Sequence, residues 1–201
     1  PEQRAADAAD IDAEPYKELP VDARAFVGPV PQVVGLEPCD RFAAYVARKL
    51  YVHNLGHAVL AYLGHLRGRT YGYEALEDER VRPVLEAAWA EARAGIVQEH
   101  GVAPAWLEQH AADLRRRFAN RALGDTVIRL ARDPVRKLAA EDRLVGAARL
   151  AERAGVAPTA LSWAIAAGYL FDSAEDPIAL RLQQQVAAEG LPAALLAVSG
   201  I

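Results

Sequence analysis

The stretch that most constrains this chain is DRFAAYVARKLYVHNLGHAVLAYLG, residues 40–64. Phe42, Val46, Leu50, Val59 and Leu63 recur at helical spacing, with Asp40 placed to cap the start and Gly64 to end it. The pattern predicts one long helix over 40–64. Lys49, His53, Asn54 and His57 interrupt its apolar face. At about 100° per residue, Asn54 lies roughly 140° and His57 roughly 80° round from Lys49. All four can line one broad flank.

Polar groups set among apolar neighbours must find partners or face a wet cleft, because burying a lone ammonium costs several kcal/mol. Two readings of the cluster stay open on spacing alone. In the first, a desolvated Lys49 with a lowered pKa takes the proton of an alcohol, and Asn54 and His57 donate hydrogen bonds to the oxygen that becomes carbonyl-like. In the second, Lys49 snorkels to water and the histidines satisfy themselves in the core. A metal shared by His53 and His57 is a third and weaker reading. The helix carries no HExxH and no acidic third ligand, and Cys39 belongs to the preceding loop, so no metal is expected.

The remainder of the chain reads as further helices. With 52% hydrophobic but only 7% aromatic residues, the core must be built from Ala, Leu and Val, which favours packed helices. Residues 1–9 read as a polar tail and 11–26 as an extended arm or edge strand broken by Pro15 and Pro20. Residues 26–38 hold too many Gly and Pro for regular structure, and 66–73 read as a loop. Helices are predicted over 80–100, 103–118, 142–154, 158–167 and 176–189, with a last one from Pro192 and short helical turns over 124–130 and 135–138.

The formal charge of −4 disfavours nucleic acid and anionic membrane as partners. One cysteine excludes an internal disulfide, and no apolar run approaches about 18 residues. A cytoplasmic protein is the expectation. The start at Pro1 and the absence of Met point to a piece of a longer polypeptide. No GxGxxG or GxxxxGK[ST] is present, so no nucleotide-binding fold is expected within these residues.

The run Lys49-x4-Asn54-x2-His57 within RKLYVHNLGHAVLAYLG resembles the catalytic segment of the polyol-specific long-chain dehydrogenases, the mannitol dehydrogenase family. Residues 117–144, RFANRALGDTVIRLARDPVRKLAAEDRL, are similar to the bacterial mannitol-1-phosphate 5-dehydrogenase branch of it, and AEPYKELPVDARAFVG, residues 13–28, resembles the segment joining that family's two domains. The resemblance implies a mainly α, multi-helix C-terminal domain over 39–201, similar to the helical domain of 6-phosphogluconate-dehydrogenase-like enzymes. Residues 1–38 would be an extended arm and interdomain connector. It implies Lys49 as general base, with Asn54 and His57 on the reacting oxygen. The reaction would be hydride transfer between D-mannitol 1-phosphate and NAD, giving D-fructose 6-phosphate, without a metal. NAD would be bound mainly by an N-terminal Rossmann domain of the same polypeptide, and the piece alone would be inactive.

Residues 115–143 carry nine basic side chains against four acidic ones, a local charge of +5. Arginine forks suit a phosphate, and a cationic wall would also depress a neighbouring lysine pKa; the alternative is a solvated face of carboxylate pairs. The family resemblance places Arg117, Asn120, Arg136 and Lys137 against the substrate. Arg121 departs from the family pattern, where proline is common after the asparagine. Two other readings remain: a dehydrogenase of an unphosphorylated polyol or sugar acid, and a non-enzymatic helical interaction module.

Overall fold

The computed structural model describes residues 19–201. The predicted polar tail and the first part of the arm lie outside the described residues. Two short strands, β1 (Leu19–Asp22) and β2 (Leu36–Cys39), pair in parallel, with Leu19 opposite Leu36 and Asp22 opposite Cys39. The Cys39 thiol donates to the Val21 carbonyl across this pair at 3.1 Å. Pro38 did not prevent β2 from forming, because a two-stranded ribbon leaves each strand a free edge where a missing N–H costs nothing. The predicted irregular connector is therefore shorter than 26–38.

The rest is helical. α1 (Phe42–Arg48) and α2 (Leu55–Leu66) are joined without a break by a π-helical segment, Lys49–Asn54. α3 (Gly72–Glu77), α4 (Val81–His100) and α5 (Pro104–Phe118) follow. α6 (Val127–Ala131), α7 (Pro134–Lys137), α8 (Val145–Arg153), α9 (Thr159–Tyr169), α10 (Pro177–Glu189) and α11 (Leu191–Ser199) complete the fold. No helix among the described residues is long and apolar enough to cross a membrane.

α2 is the centre of the molecule. Leu55, Ala58, Val59, Leu60, Ala61 and Tyr62 are all buried on it, and it packs on α3, α4, α6 and α9. α4 supplies the second layer with Leu85, Ala88, Trp89, Ala92 and Ile96. Distant side chains tie the layers. The Tyr62 hydroxyl donates to the Ala131 carbonyl at 3.0 Å, and Glu91 accepts from the N–H groups of Ala160 and Leu161, capping α9 from α4.

Several predicted boundaries move. Asp40 does not cap the first helix, which begins at Phe42 after Arg41, and the Arg41 guanidinium donates to the Gly101 carbonyl instead. Gly64 does not end α2. A Cβ there would sit 2.8 Å from that of Ala75, so the glycine serves the approach of α3, and the chain turns at Gly68 with φ +66°. The predicted 66–73 loop ends early because α3 starts at Gly72. Its first turn is fixed by the Glu74 carboxylate, which accepts from the N–H groups of Thr70 and Tyr71.

Candidate active site

The π-helical segment sets the geometry of the polar cluster. Widening the turn to i→i+5 hydrogen bonds brings residues five apart towards one side, so Asn54 swings round towards Lys49 instead of lying roughly 140° away as in an α-helix. Trp89 holds this distortion: its indole N–H donates to the Val52 carbonyl at 2.7 Å inside the core. Gly56 permits the approach, since a Cβ there would lie 2.8 Å from the Trp89 ring and 2.9 Å from that of Phe118.

Lys49 and Asn54 line a cavity of about 660 Å³ together with Arg48, His53, His110 and Arg117. Leu19 and Pro20 of β1 and Phe42, Val46 and Leu50 of the long helix form its apolar walls. The Lys49 amine lies 3.1 Å from Nδ1 of His53. Burial, then the charges of Lys49 and His57, push the His53 pKa down to about 2. A neutral imidazole can accept from the amine through Nδ1, with its own proton on Nε2. Lys49 itself is solvent-exposed in this chain, in contrast to the desolvated amine its apolar neighbours predict, because the cavity is open beside it.

His57 lies one step behind. Its ring packs on Phe118 at 4.2 Å between centroids and meets the His53 ring edge-on at 5.0 Å. Burial, then the charges of Lys49 and Arg129, lower its pKa to about 3. It lines a second, much smaller hollow with Phe118, Asn120, Tyr73 and Arg117. Arg117 borders both spaces. The Asn120 side chain accepts from the Ala122 N–H and caps a 3-10 turn.

Arg136 and Lys137 border neither space. Arg136 is exposed and donates to Asp133 at 3.0 Å. Lys137 is buried, and its ammonium donates to the Leu130 carbonyl at 2.7 Å and to the Arg132 carbonyl, closing the end of α6. Burial, then Arg143 and Arg136, lower its pKa to about 7. Most other arginines of the basic stretch are drawn to carboxylates: Arg115 to Glu86 and Glu108, Arg116 and Arg117 to Asp113, Arg121 to Glu77, Arg129 to Asp125 and Arg143 to Asp142. Glu86 and Glu77 come from distant parts of the chain, whereas Asp125 and Asp142 lie within the stretch itself.

Two lining residues escaped the sequence reading. The Arg48 guanidinium lies 4.2 Å over the Trp106 ring and 4.8 Å over that of Tyr45. Among the described residues Nε2 of His110, which is buried, finds no hydrogen-bond partner, and burial, then Arg48 and Arg117, lower that residue's pKa to about 4. Adjacency to Lys49 was a usable signal for Arg48. His110 carried none beyond its place in a predicted helix. Among the described residues no group of three or more His, Cys, Asp or Glu side chains is arranged to hold a metal ion.

The profile described as the mannitol dehydrogenase C-terminal domain matches residues 41–199. The chain belongs to the mannitol dehydrogenase family as its C-terminal domain. It is similar to the mannitol-1-phosphate 5-dehydrogenases of Oceanobacillus iheyensis, 37% identical over all of this chain and 52% of the relative. The enzyme of that name from Thermoanaerobacter pseudethanolicus is 33% identical over 96% of this chain and 49% of the relative. That from Bacillus subtilis is 36% identical over all of this chain and 53% of the relative. The chain thus spans about half the length of the curated relatives it matches. Pseudomonas fluorescens mannitol 2-dehydrogenase, solved as a ternary complex with NAD and D-mannitol, superposes with a TM-score of 0.64 at 24% identity, over 82% of this chain and 35% of that one. That likeness speaks to the fold.

Proposed function

We propose that this chain is the substrate-binding and catalytic domain of an NAD-dependent mannitol-1-phosphate 5-dehydrogenase, interconverting D-mannitol 1-phosphate and D-fructose 6-phosphate. The observation that carries it is the meeting of Lys49, Asn54 and Arg117 on one cavity, in a chain whose curated relatives bear that enzyme's name. The deprotonated Lys49 amine takes the hydroxyl proton of the substrate carbon, with Nδ1 of His53 holding the amine in place. The Asn54 amide donates to the same oxygen as it becomes a carbonyl, and His57 supports it from behind. Arg117 meets the anionic part of the substrate.

A bound NAD would supply the acceptor for the hydride of the C–H bond that breaks. The described residues offer no glycine-rich turn from strand to helix that could cradle its pyrophosphate, and between β1 and β2 there is only a single 3-10 turn, Ala23–Ala25, and no crossover α-helix. Dinucleotide binding is therefore assigned to a Rossmann half of the same polypeptide outside these residues. The 201-residue chain by itself is expected to reduce no NAD.

The pairing of most basic-stretch arginines with carboxylates favours a second reading, a dehydrogenase of an unphosphorylated polyol or sugar acid. Both readings are tested in a polypeptide carrying the two halves, assayed with NAD against mannitol 1-phosphate and mannitol. The phosphate ester should be strongly preferred; equal use of the two supports the second reading. Lys49→Ala should lower kcat by about 10²- to 10⁴-fold at an unchanged melting temperature. Near-normal turnover in that variant removes Lys49 from the mechanism.

A further inference from the structure

We infer that His53 is the positioning residue of the base: its Nδ1 holds one amine hydrogen of Lys49 and so aims the amine at the substrate hydroxyl without placing a negative charge beside it. This deepens the proposed function and rests on its assignment of Lys49 as the base. The two side chains are four residues apart in the π-helical segment, with Nζ of Lys49 3.1 Å from Nδ1 of His53. A lysine amine rides on a flexible four-carbon stem, whereas proton transfer needs the reacting atoms held at a fixed separation. Once deprotonated, the amine carries a lone pair beside its remaining hydrogens. Committing one of those hydrogens to Nδ1 restricts where the lone pair can face. Lys49 makes other contacts as well, and they leave this one in place.

His53 is itself pinned. It is 8% exposed, its ring meets those of His57 and Phe118 edge-on at 5.0 Å and 5.8 Å, and Trp89 anchors the same helical turn through the Val52 carbonyl. Burial first, then the charges around it, keep the imidazole neutral, so Nδ1 stays an acceptor throughout the neutral and alkaline range in which a lysine base works. Among the described residues, His57 on the same helix, Arg48 beside Lys49, and His110 and Arg117 from α5 face the pair. α4 brings the uncharged Trp89, and β1 the apolar Leu19 and Pro20. A carboxylate in place of His53 would hold the amine equally well, but it would favour the ammonium and raise the pH at which Lys49 gives up its proton. An imidazole orients the amine with far less of that penalty.

The test uses the two-half polypeptide, assayed with NAD and whichever of mannitol 1-phosphate and mannitol it oxidises, so that the outcome does not turn on the phosphate. kcat and kcat/KM are followed from about pH 6 to about pH 10 in wild type, His53→Leu, His53→Asn and His53→Asp, with the melting temperature measured alongside. His53→Leu, which removes the acceptor, should lower kcat by about ten- to hundredfold. His53→Asn sets an amide oxygen near the place of Nδ1 and should recover most of that loss. His53→Asp, nearly isosteric with it, should move the rising limb of kcat/KM to higher pH by about one unit or more. Lost packing alone would lower the melting temperature in all three without moving that limb. Near-normal kcat in His53→Leu, or an equal loss in His53→Leu and His53→Asn, overturns the positioning role, and so does a limb that stays at the wild-type pH in His53→Asp. If His53→Asp does not fold, the comparison of His53→Leu with His53→Asn decides. Near-normal turnover in Lys49→Ala removes the base and the positioning role with it, whereas an inactive Lys49→Ala beside a fully active His53→Leu removes the positioning role alone.

Discussion

The ammonium of Lys137 is buried yet touches no carboxylate at hydrogen-bonding distance; it is spent on the carbonyls of Leu130 and Arg132 at the end of α6. Removing it leaves two acceptors in a dry place, at a cost of about 1–3 kcal/mol. Lys137→Met should therefore lower the urea midpoint while leaving KM for the substrate close to wild type. A large rise in KM at unchanged stability would return Lys137 to the binding site. Its neighbour Arg136 shows why sequence could not sort these cations. Both sit in one basic run, and which of them a carboxylate or carbonyl claims is decided by folding. Spacing alone placed Lys49, Asn54 and His57 on one helix, but it could not show that Lys49 and Asn54 line one cavity while His57 borders a different, smaller hollow. Arg48 was not singled out, because its stacking depends on Trp106, which α5 delivers from 58 positions further along the chain.

Helix ends written in Pro, Gly and Asp were readable: Asp176 caps α10 through the Ile178 N–H, and Gly101 closes α4 at φ +62°. What periodicity could not reveal was the π-helical turn at Lys49–Asn54, since it depends on an indole from α4 meeting the Val52 carbonyl. Glycines inside helices posed the same difficulty. Gly95 lies in the middle of α4, where helix propensity alone would favour alanine by about 1 kcal/mol. A Cβ there would sit 2.7 Å from Leu150 Cγ and 2.8 Å from the Leu150 carbonyl oxygen, so α4 and α8 can touch only without it. Backbone cannot yield as a side chain tip can, and overpacking should cost about 3 kcal/mol. Gly95→Ala is expected to destabilise by a net of about 2 kcal/mol, read as a lower urea midpoint at constant m. An unchanged midpoint would mean the two helices slide apart freely.

Across the whole molecule, the face that bears the Lys49 cavity carries a liability that the alanine-rich core does not share. His53 and His57 pack on Phe118 and His110 lies beside His53, with their pKa values lowered to about 2, 3 and 4, first by burial and then by cations that include Lys49 and Arg117. In the unfolded chain each would titrate near 6.5. Between those folded values and pH 6.5 the unfolded state binds more protons than the native state, so unfolding free energy rises with pH in that window and falls on acidification. Above pH 6.5 all three are neutral in both states and contribute no slope. Each can add up to about 1.4 kcal/mol per pH unit below it. The urea midpoint should hold steady from pH 8 to 7 and drop from pH 6 to 5. His110→Gln, which cannot take up a proton, should flatten that drop by roughly one histidine's share. A slope identical in wild type and variant would move the acid sensitivity away from this cluster and onto the carboxylate pairs, such as Asp78 with Arg69 and Arg67. Those pairs lose stability only where Asp78 begins to take up protons. Its N–H partners at Arg80 and Val81 and the guanidinium of Arg69 hold that carboxyl well below the usual range, so its loss falls at more acidic pH than the histidine window.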